Sequence, residues 1–421
     1  MLHFTALHRL LGYAPGPLTD AMLDEAIAQN IAETDDLDWK GVLPPAKGLN
    51  DTDYPKDIAA MANSGGGVIV YGVTEDQKKA NGRKDVGELA EVHARSLRSA
   101  AVTAISPPVF GLDIVELGGD GARCVAIMVP GSVDGPHLIY KGEYFGAPVR
   151  NDADTVWMKE RQVEAAYRAR FEERRHSHEA LDRMVNELSL VTEVEARAWL
   201  IAVARPRGMS TPITRWSRTE AQQVFEKATE HAVAYFRRGV PDQSGRPFDI
   251  VSTLNPRTGL RRWVAGTHRT ETWREATASV HFDGSASVAF ALGGHRTGRD
   301  SSYEAWEFDG ASLSGAIADF MGLIRALGSR LDSVDYEIRI AIAHSGPERL
   351  IMHSADQFGF VDAGTSVPMH AFLPIDATIE VSADDARYLH QVREVIRDCL
   401  NQGGISVLRG VAECDCDECA S

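Results

Sequence analysis

The run Val68-Ile-Val-Tyr-Gly-Val73 constrains the fold more than any other stretch; it is entered through Ser64-Gly-Gly-Gly67 and left through Thr74-Glu75-Asp76. A short, largely β-branched run of this kind is what a central strand buried on both faces requires. Upstream, residues 56–62 are apolar at helical spacing and stop at the glycines, while residues 36–40 alternate polar and apolar like a half-buried strand. The order strand, helix, glycine turn, strand places Glu33 and Asp38 at one strand and Glu75 with Asp76 at the end of the other. Two strands edged by acids, joined by a helix, define an α/β layer with a concentration of carboxylates on it.

The flanking sequence extends this layer. Thr19 is placed to cap a helix over residues 20–32, with Leu23, Ile27 and Ile31 at helical spacing. Residues 86–102 read as a helix that Pro107-Pro108 breaks, and strands follow at 110–117 and 123–129 around the turn Gly118-Gly-Asp-Gly121. Gly135-Pro-His137, Tyr144-Phe145 and Val149-Arg150 suggest further hairpins. Residues 159–205 read as mostly helical, with Arg168, Arg170, Arg174 and Arg175 among several Glu, and serve as a connector. Beyond it lies a second α/β pattern: a hairpin in 273–292 around Asp283-Gly284, a helix over 313–331, a strand over 337–343 and a closing helix over 383–400.

The fold class expected is therefore α/β (α+β): an N-terminal mixed sheet with helices, plus a second C-terminal α/β domain. The expected divisions are an N-terminal helical segment (1–32), a domain over 33–171, a helical connector (172–205), a C-terminal domain (206–410) and a Cys-rich acidic tail (411–421). A length of 421 residues exceeds one ordinary core, and 44% hydrophobic with 25% charged residues is a globular composition. No apolar run reaches the roughly 18 residues that span a bilayer. The N-terminus, with an apolar stretch broken by two His, reads poorly as a signal peptide, so a cytoplasmic location with no membrane partner is expected. The net charge of −16 opposes non-specific attraction to nucleic acid, so any such surface must be local.

The spacing Glu33, Asp38-Trp39-Lys40, then Ala62-Asn63-Ser64, Gly65 to Gly67, the apolar strand to Val73 and Glu75 resembles the AlbA-like domain of the Schlafen family over residues 33–171, about a third of the chain. That resemblance implies nucleic-acid binding, RNA or DNA, and in the family's nucleases a divalent metal held by three carboxylates. The matching positions are Glu33, Asp38 and Glu75. Asp38 stands where Glu is usual, Glu75 where Asp is usual, and Thr74 where the family often has another Asp. An endoribonuclease acting on structured RNA such as transfer RNA is the activity implied. The alternative is a non-catalytic DNA- or RNA-binding regulator whose second half senses a signal or forms a homo-oligomer, and a scaffold without a nucleic-acid role is a third reading.

The chemistry gives these residue types a reason. Mg²⁺ and Mn²⁺ prefer carboxylate oxygens and keep several waters, leaving room for phosphate and a nucleophile. Lys40 lies two residues from Asp38 on a strand, shares its face and is placed to meet a phosphate or developing charge. The plainer reading is a set of surface acids at strand ends. Lys78, Lys79, Arg83 and Lys84 follow the third acid and could form a basic rim for the nucleic-acid backbone, the alternative being a solvated loop. Arg150 stands where the resembled domain carries an Arg on its last strand and is the next candidate for such a contact. Gly65 to Gly67 could let backbone N–H groups approach phosphate or could simply make a helix-to-strand turn. No Gly-x-x-x-x-Gly-Lys-(Ser/Thr) motif occurs, so no nucleotide cofactor is expected.

The rest of the chain is less specific. Cys414-Asp-Cys416-Asp-Glu-Cys419, with Cys399, could offer thiolates to zinc or form a tail of free thiols. Trp263, His268, Trp273, His281, His295 and Trp306 could line a recognition surface or pack as core and turn residues.

Overall fold

The computed structural model describes residues 4–207, 215–236, 246–267, 275–294, 296–297, 301–331, 335–354 and 367–414. Cys416, Cys419, His268, Trp273 and His295 lie outside the described residues. Contacts divide the chain into two compact units, Met1–Arg175 and His176–Ser421.

The first unit opens with helices α1 (Ala6–Leu11) and α2 (Asp20–Ala28), followed by strand β1 (Leu37–Lys40), α3 (Tyr54–Asn63), β2 (Gly66–Tyr71), and the pair β3 (Val73–Asp76) and β4 (Lys79–Arg83). Next come α4 (Glu91–Thr103), β5 (Ile105–Ser106), β6 (Asp113–Leu117) and β7 (Cys124–Pro130), then β8 (Leu138–Lys141), β9 (Tyr144–Gly146), β10 (Pro148–Asn151) and β11 (Asp154–Trp157). Helix α5 (Glu160–Ser189) carries the division between the units.

The central sheet has the order β1-β2-β7-β6. β1 runs parallel to β2, and the other pairs are antiparallel. The run at 68–71 thus occupies an interior strand, with both of its faces covered. Val68 and Val70 pack with Leu37 and Trp39 against Leu7, Met22 and Leu23 of α1 and α2. Ile69 and Tyr71 pack on the opposite side with Ile58 of α3 and Leu97 of α4. Strand alternation then dictates the site: with Leu37 and Trp39 committed to the α1–α2 layer, Asp38 and Lys40 must face the α3 side. The helices of 1–32, set apart in the sequence reading, supply one whole layer of this core.

Two glycines make the turns possible. Gly66 has φ +92°, and a Cβ there would lie 2.5 Å from the backbone nitrogen of Gly131. Gly72 has φ +95° and breaks the 68–73 run into β2 and β3. The glycine turn is therefore packed against protein backbone at Gly66, in keeping with the helix-to-strand reading. The helix expected to 32 ends at Ala28, capped by Thr19 Oγ1 accepting the Met22 N–H at 3.3 Å.

The second unit contains β12 (Trp199–Pro206), α6 (Arg218–Tyr235), α7 (Pro247–Ile250), β13 (Arg257–Gly259), β14 (Arg262–Gly266), β15 (Ala276–His281) and β16 (Ala286–Ala291). It continues with β17 (Arg296–Thr297), β18 (Ser301–Ser302), β19 (Glu307–Asp309), α8 (Gly310–Leu331), β20 (Asp335–Ala343), β21 (Ile351–His353), β22 (Ile375–Glu380) and α9 (Asp385–Gln402). Its main sheet, β13-β14-β15-β16-β12-β20-β22, is antiparallel throughout. Leu200, Ala202 and Ala204 face Phe225, Phe320 and Ile396 of the helical layer. Trp199, Ile201 and Val203 face Leu181 and Leu188 of α5.

Helix α5 fills most of residues 159–205, as expected, but the end of that range is strand β12. Its apolar run is buried on both faces, and such a run carries neither the helical nor the alternating period. Val411 and Ala412, assigned to the tail, are buried and pair with Phe236 and Tyr235. Among the described residues, no helix is long and apolar enough to cross a membrane.

Candidate functional site

Asp38 is the centre of an ionic cluster on the α3 side of β1. Its side chain is only 2% exposed; Lys40 Nζ lies 2.8 Å from Oδ2 and Arg150 Nη1 3.2 Å from Oδ1. Arg150 is itself fixed on β10. Its backbone N–H donates to Ser64 Oγ (2.8 Å), Nη2 to the Thr34 carbonyl (3.2 Å) and Nη1 to Thr155 Oγ1 (3.4 Å). Asn63 completes the clamp. Its Nδ2 donates to the carbonyls of His137 (3.0 Å) and Pro148 (2.8 Å), and its Oδ1 accepts the His137 N–H (2.7 Å). The Ala62-Asn63-Ser64 element thus holds β10 in place and, through Arg150, holds Asp38. With a 3% exposed side chain, Arg150 stands in the cavity wall already engaged by Asp38.

Glu33 and the β3–β4 hairpin form the next wall. The Glu33 N–H donates to the Lys78 carbonyl (2.8 Å), the Ala80 N–H donates to the Ile31 carbonyl (3.0 Å), and Glu33 Oε1 accepts the Trp39 N–H (3.0 Å). Gln77 (φ +50°) and Lys78 (φ +63°) make a two-residue turn in the left-handed conformation such hairpins demand, without the glycine that usually signals it. Lys78 Nζ lies 2.5 Å from Asp154 Oδ1 on β11, linking this hairpin to β10–β11.

These walls enclose a cavity of about 500 Å³, lined by Glu33, Asp38, Lys40, Glu75, Lys78 and Arg150, six of the nine candidate residues. The remaining three, Lys79, Arg83 and Lys84, do not line it. Arg83 is drawn to α2, with Nη1 2.6 Å from Asp20 Oδ1 and Nη2 2.9 Å from Asp24 Oδ1, and it also donates to the Ala122 carbonyl at 3.1 Å. The expected rim is thereby reduced to Lys78 at the cavity itself.

Asp57 also lines the cavity, from α3, and was not singled out by sequence reasoning. Its signal was available: a lone acid among Ile58, Ala59, Met61 and Ala62 on a buried helix is unusual, because Asp is rarely buried without a purpose.

The cavity supplies more acids than bases. Glu33, Asp38, Asp53, Asp57 and Glu75 face Lys40, Lys56, Lys78 and Arg150. Burial pushes Glu33 up to about 7; the Trp39 N–H opposes the shift, and the charges of Asp38 and Glu75 add to it. Burial also carries Asp57 up to about 6 against the attraction of Lys40, with Asp38 adding to the rise. Burial works to lower Lys40, but the charge and hydrogen bond of Asp38, joined by Asp57 and Glu33, raise it on balance. Lys40 is therefore the resident counter-ion of the cluster.

The donor chemistry suits a hard cation, but the placement does not. Both Asp38 oxygens face cations, one Glu33 oxygen takes a backbone N–H, and among the described residues no group of three or more His, Cys, Asp or Glu is placed to hold a metal ion. As folded, Glu33, Asp38 and Glu75 do not fit a three-carboxylate metal centre. Cys399, considered for zinc, is buried in the second core with its thiol pushed up by that burial.

Residues 33–159 match the Schlafen, AlbA_2 family model. The N-terminal likeness read from Glu33, Asp38 and the 62–75 stretch is therefore shown for this part of the chain. No curated protein matches the chain. Among solved structures, the DIP2311 protein from Corynebacterium diphtheriae is similar at 16% identity over 36% of this chain and 28% of its own, with a TM-score of 0.25. The chain thus spans less than a third of that protein's length, and so low a score carries no argument about fold or activity. Within the Schlafen AlbA_2 region, the matched segment begins at Glu33 and includes every residue named above as lining the cavity.

Proposed function

We propose that the Schlafen AlbA_2 region is a nucleic-acid-binding module and that the cavity on the α3 side of β1 takes a phosphate of the bound backbone. The observation that carries this reading is the convergence of Lys40 and Lys78, from two separate segments, on one cavity inside the matched region. Lys40 is held charged by Asp38, and Lys78 is tethered at the mouth by Asp154. A phosphate entering between them exchanges one set of charge-assisted contacts for another, so the affinity gained at the cavity is modest and independent of sequence.

Cleavage of structured RNA with Mg²⁺ or Mn²⁺ is a second reading. It is favoured by the repulsion that Asp38 and Glu75 exert on Glu33, which a divalent ion would relieve, and opposed by the ion pairs that hold Asp38. The two readings separate in one experiment: incubation of the full-length protein with labelled transfer RNA and single-stranded DNA, with Mn²⁺ and with chelator. Retention of intact RNA in both conditions supports binding alone; cut RNA only with Mn²⁺ supports the second reading. No retention of either nucleic acid would overturn the proposal.

A further inference from the structure

The cavity is nearly charge-balanced and the chain carries a net −16, so electrostatics alone gives a weak hold on a polyanion. A different kind of surface lies next to it. Of the eight strongly exposed aromatic side chains among the described residues, four fall within 18 positions on consecutive hairpins: Tyr140 (59% exposed), Tyr144 (79%), Phe145 (63%) and Trp157 (48%). Leaving rings of this size in water is costly unless a partner covers them.

The geometry is that of a finger with rings on both sides. Tyr140 and Phe145 are direct cross-strand partners in β8–β9, their ring centroids 5.8 Å apart, on the face opposite the buried Ile139. The Trp157 ring lies over Gly146, on the Ile139 side, where a Cβ on Gly146 would meet it at 2.7 Å. The same β10–β11 hairpin that carries Trp157 carries Arg150 and Thr155 of the cavity wall and Asp154, the partner of Lys78. Three residues along β11 separate Asp154 from Trp157, about 10 Å of strand.

We infer that the β8–β9 finger and Trp157 form a stacking platform for unpaired bases of a nucleic-acid strand whose backbone passes the cavity. This inference rests on the nucleic-acid reading of the cavity and deepens it by naming the substrate class: a single-stranded segment, or an unpaired loop of a folded RNA. Rings on two faces of one hairpin cannot be covered by a single flat protein surface, which would need roughly 800 Å² of continuous contact per partner. A flexible strand can reach both faces. Every base offers a π-face, so stacking is tolerant of sequence and is far less sensitive to salt than phosphate contacts.

The test compares full-length wild type with the Tyr140→Ala/Phe145→Ala double variant and with Trp157→Ala. Fluorescence anisotropy would be read on a labelled single-stranded oligonucleotide and on the same strand in a duplex, at two salt concentrations. The expected result is a loss of about ten-fold or more in single-strand affinity for each variant, as expected for loss of a stacked base, with duplex affinity unchanged and a shallow salt dependence in the wild type. Equal single-strand affinity in wild type and variants overturns the platform while leaving the cavity reading intact. Loss of affinity accompanied by a change from dimer to monomer in sedimentation would assign the rings to a second copy of this chain and overturn the inference. A wild type that binds neither probe overturns both this inference and the nucleic-acid reading.

Discussion

Both units bury an acid against an arginine, and the two pairs behave differently. In the second unit, Asp319 and Arg246 are 0% and 2% exposed, 3.5 Å apart, with Asp319 Oδ2 accepting the Phe248 N–H at 2.8 Å and the Arg246 side chain packed on Gly315 of α8. This pair is enclosed between helices. In the first unit, Asp38 and Arg150 are equally buried but stand at the wall of an open cavity with Lys40, Glu33 and Asp57 around them. Arg246 has one further acid within reach, Asp249 at 3.6 Å, so its alternatives are internal, whereas the open pair can exchange partners with a ligand in the cavity. A buried ion pair marks a ligand site only when space and surplus charge adjoin it.

The largest expected effect breaks the enclosed pair. Asp319→Ala should destabilise the second unit by ~3–5 kcal/mol in denaturant unfolding, because the buried Phe248 N–H loses its acceptor and Arg246 keeps only the longer contacts to Asp249 (3.6 Å) and the Ala232 carbonyl (3.4 Å). Asp38→Asn should cost less, about 1–2 kcal/mol, since Asp57 and Glu33 remain near the cations. The same variant should lower the Glu33 pKa from about 7 by removing a neighbouring negative charge, as followed by carboxyl NMR. If the two substitutions cost the same and Glu33 does not move, the distinction between open and enclosed pairs fails.

Asp57→Asn sharpens the comparison through pH. The folded value of Asp57, about 6, lies above its ordinary 3.8, so the folded protein holds this proton more tightly than the unfolded chain. That contribution to stability is fully present below about pH 4 and is lost as pH rises through 6. Asn carries no such loss. The variant should match wild type near pH 4 and exceed it by up to about 3 kcal/mol at pH 8, the value of about 6 already including the attraction of Lys40. A variant less stable than wild type at pH 8 would show that the Lys40 attraction outweighs the burial cost.

The smallest effect concerns the rim. Arg83→Ala should cost only about 0.5–1 kcal/mol, as its partners Asp20 and Asp24 are half or more exposed, and should leave RNA affinity unchanged. A drop in affinity would return Arg83 to the binding surface.

Much of the first unit was legible because its signals are local. The 68–71 run needs an interior strand, the alternation at 36–40 puts Asp38 and Lys40 on one face, and Thr19 caps its helix as its position suggests. What escaped depends on distant partners. Arg83 looked like one of four loop cations, but the acids that hold it lie on α2, some 60 residues earlier. The engagement of Arg150 with Asp38, 112 residues away, is likewise invisible in its sequence neighbourhood. β12 was hidden because a strand buried on both faces has no period. Asp57 shares a cavity with Lys40 only after α3 folds across β1.

Whether the Lys40–Lys78 cavity holds a nucleic-acid backbone, as proposed, is decided by RNA affinity in the Lys40→Gln/Lys78→Gln variant. Measured by anisotropy at several salt concentrations on two unrelated RNA sequences, affinity should fall by about three- to ten-fold for both alike, with a reduced salt slope and a cooperative melt of the first unit retained. Unchanged affinity and slope in a folded variant would overturn the cavity's role and place the backbone-binding surface elsewhere.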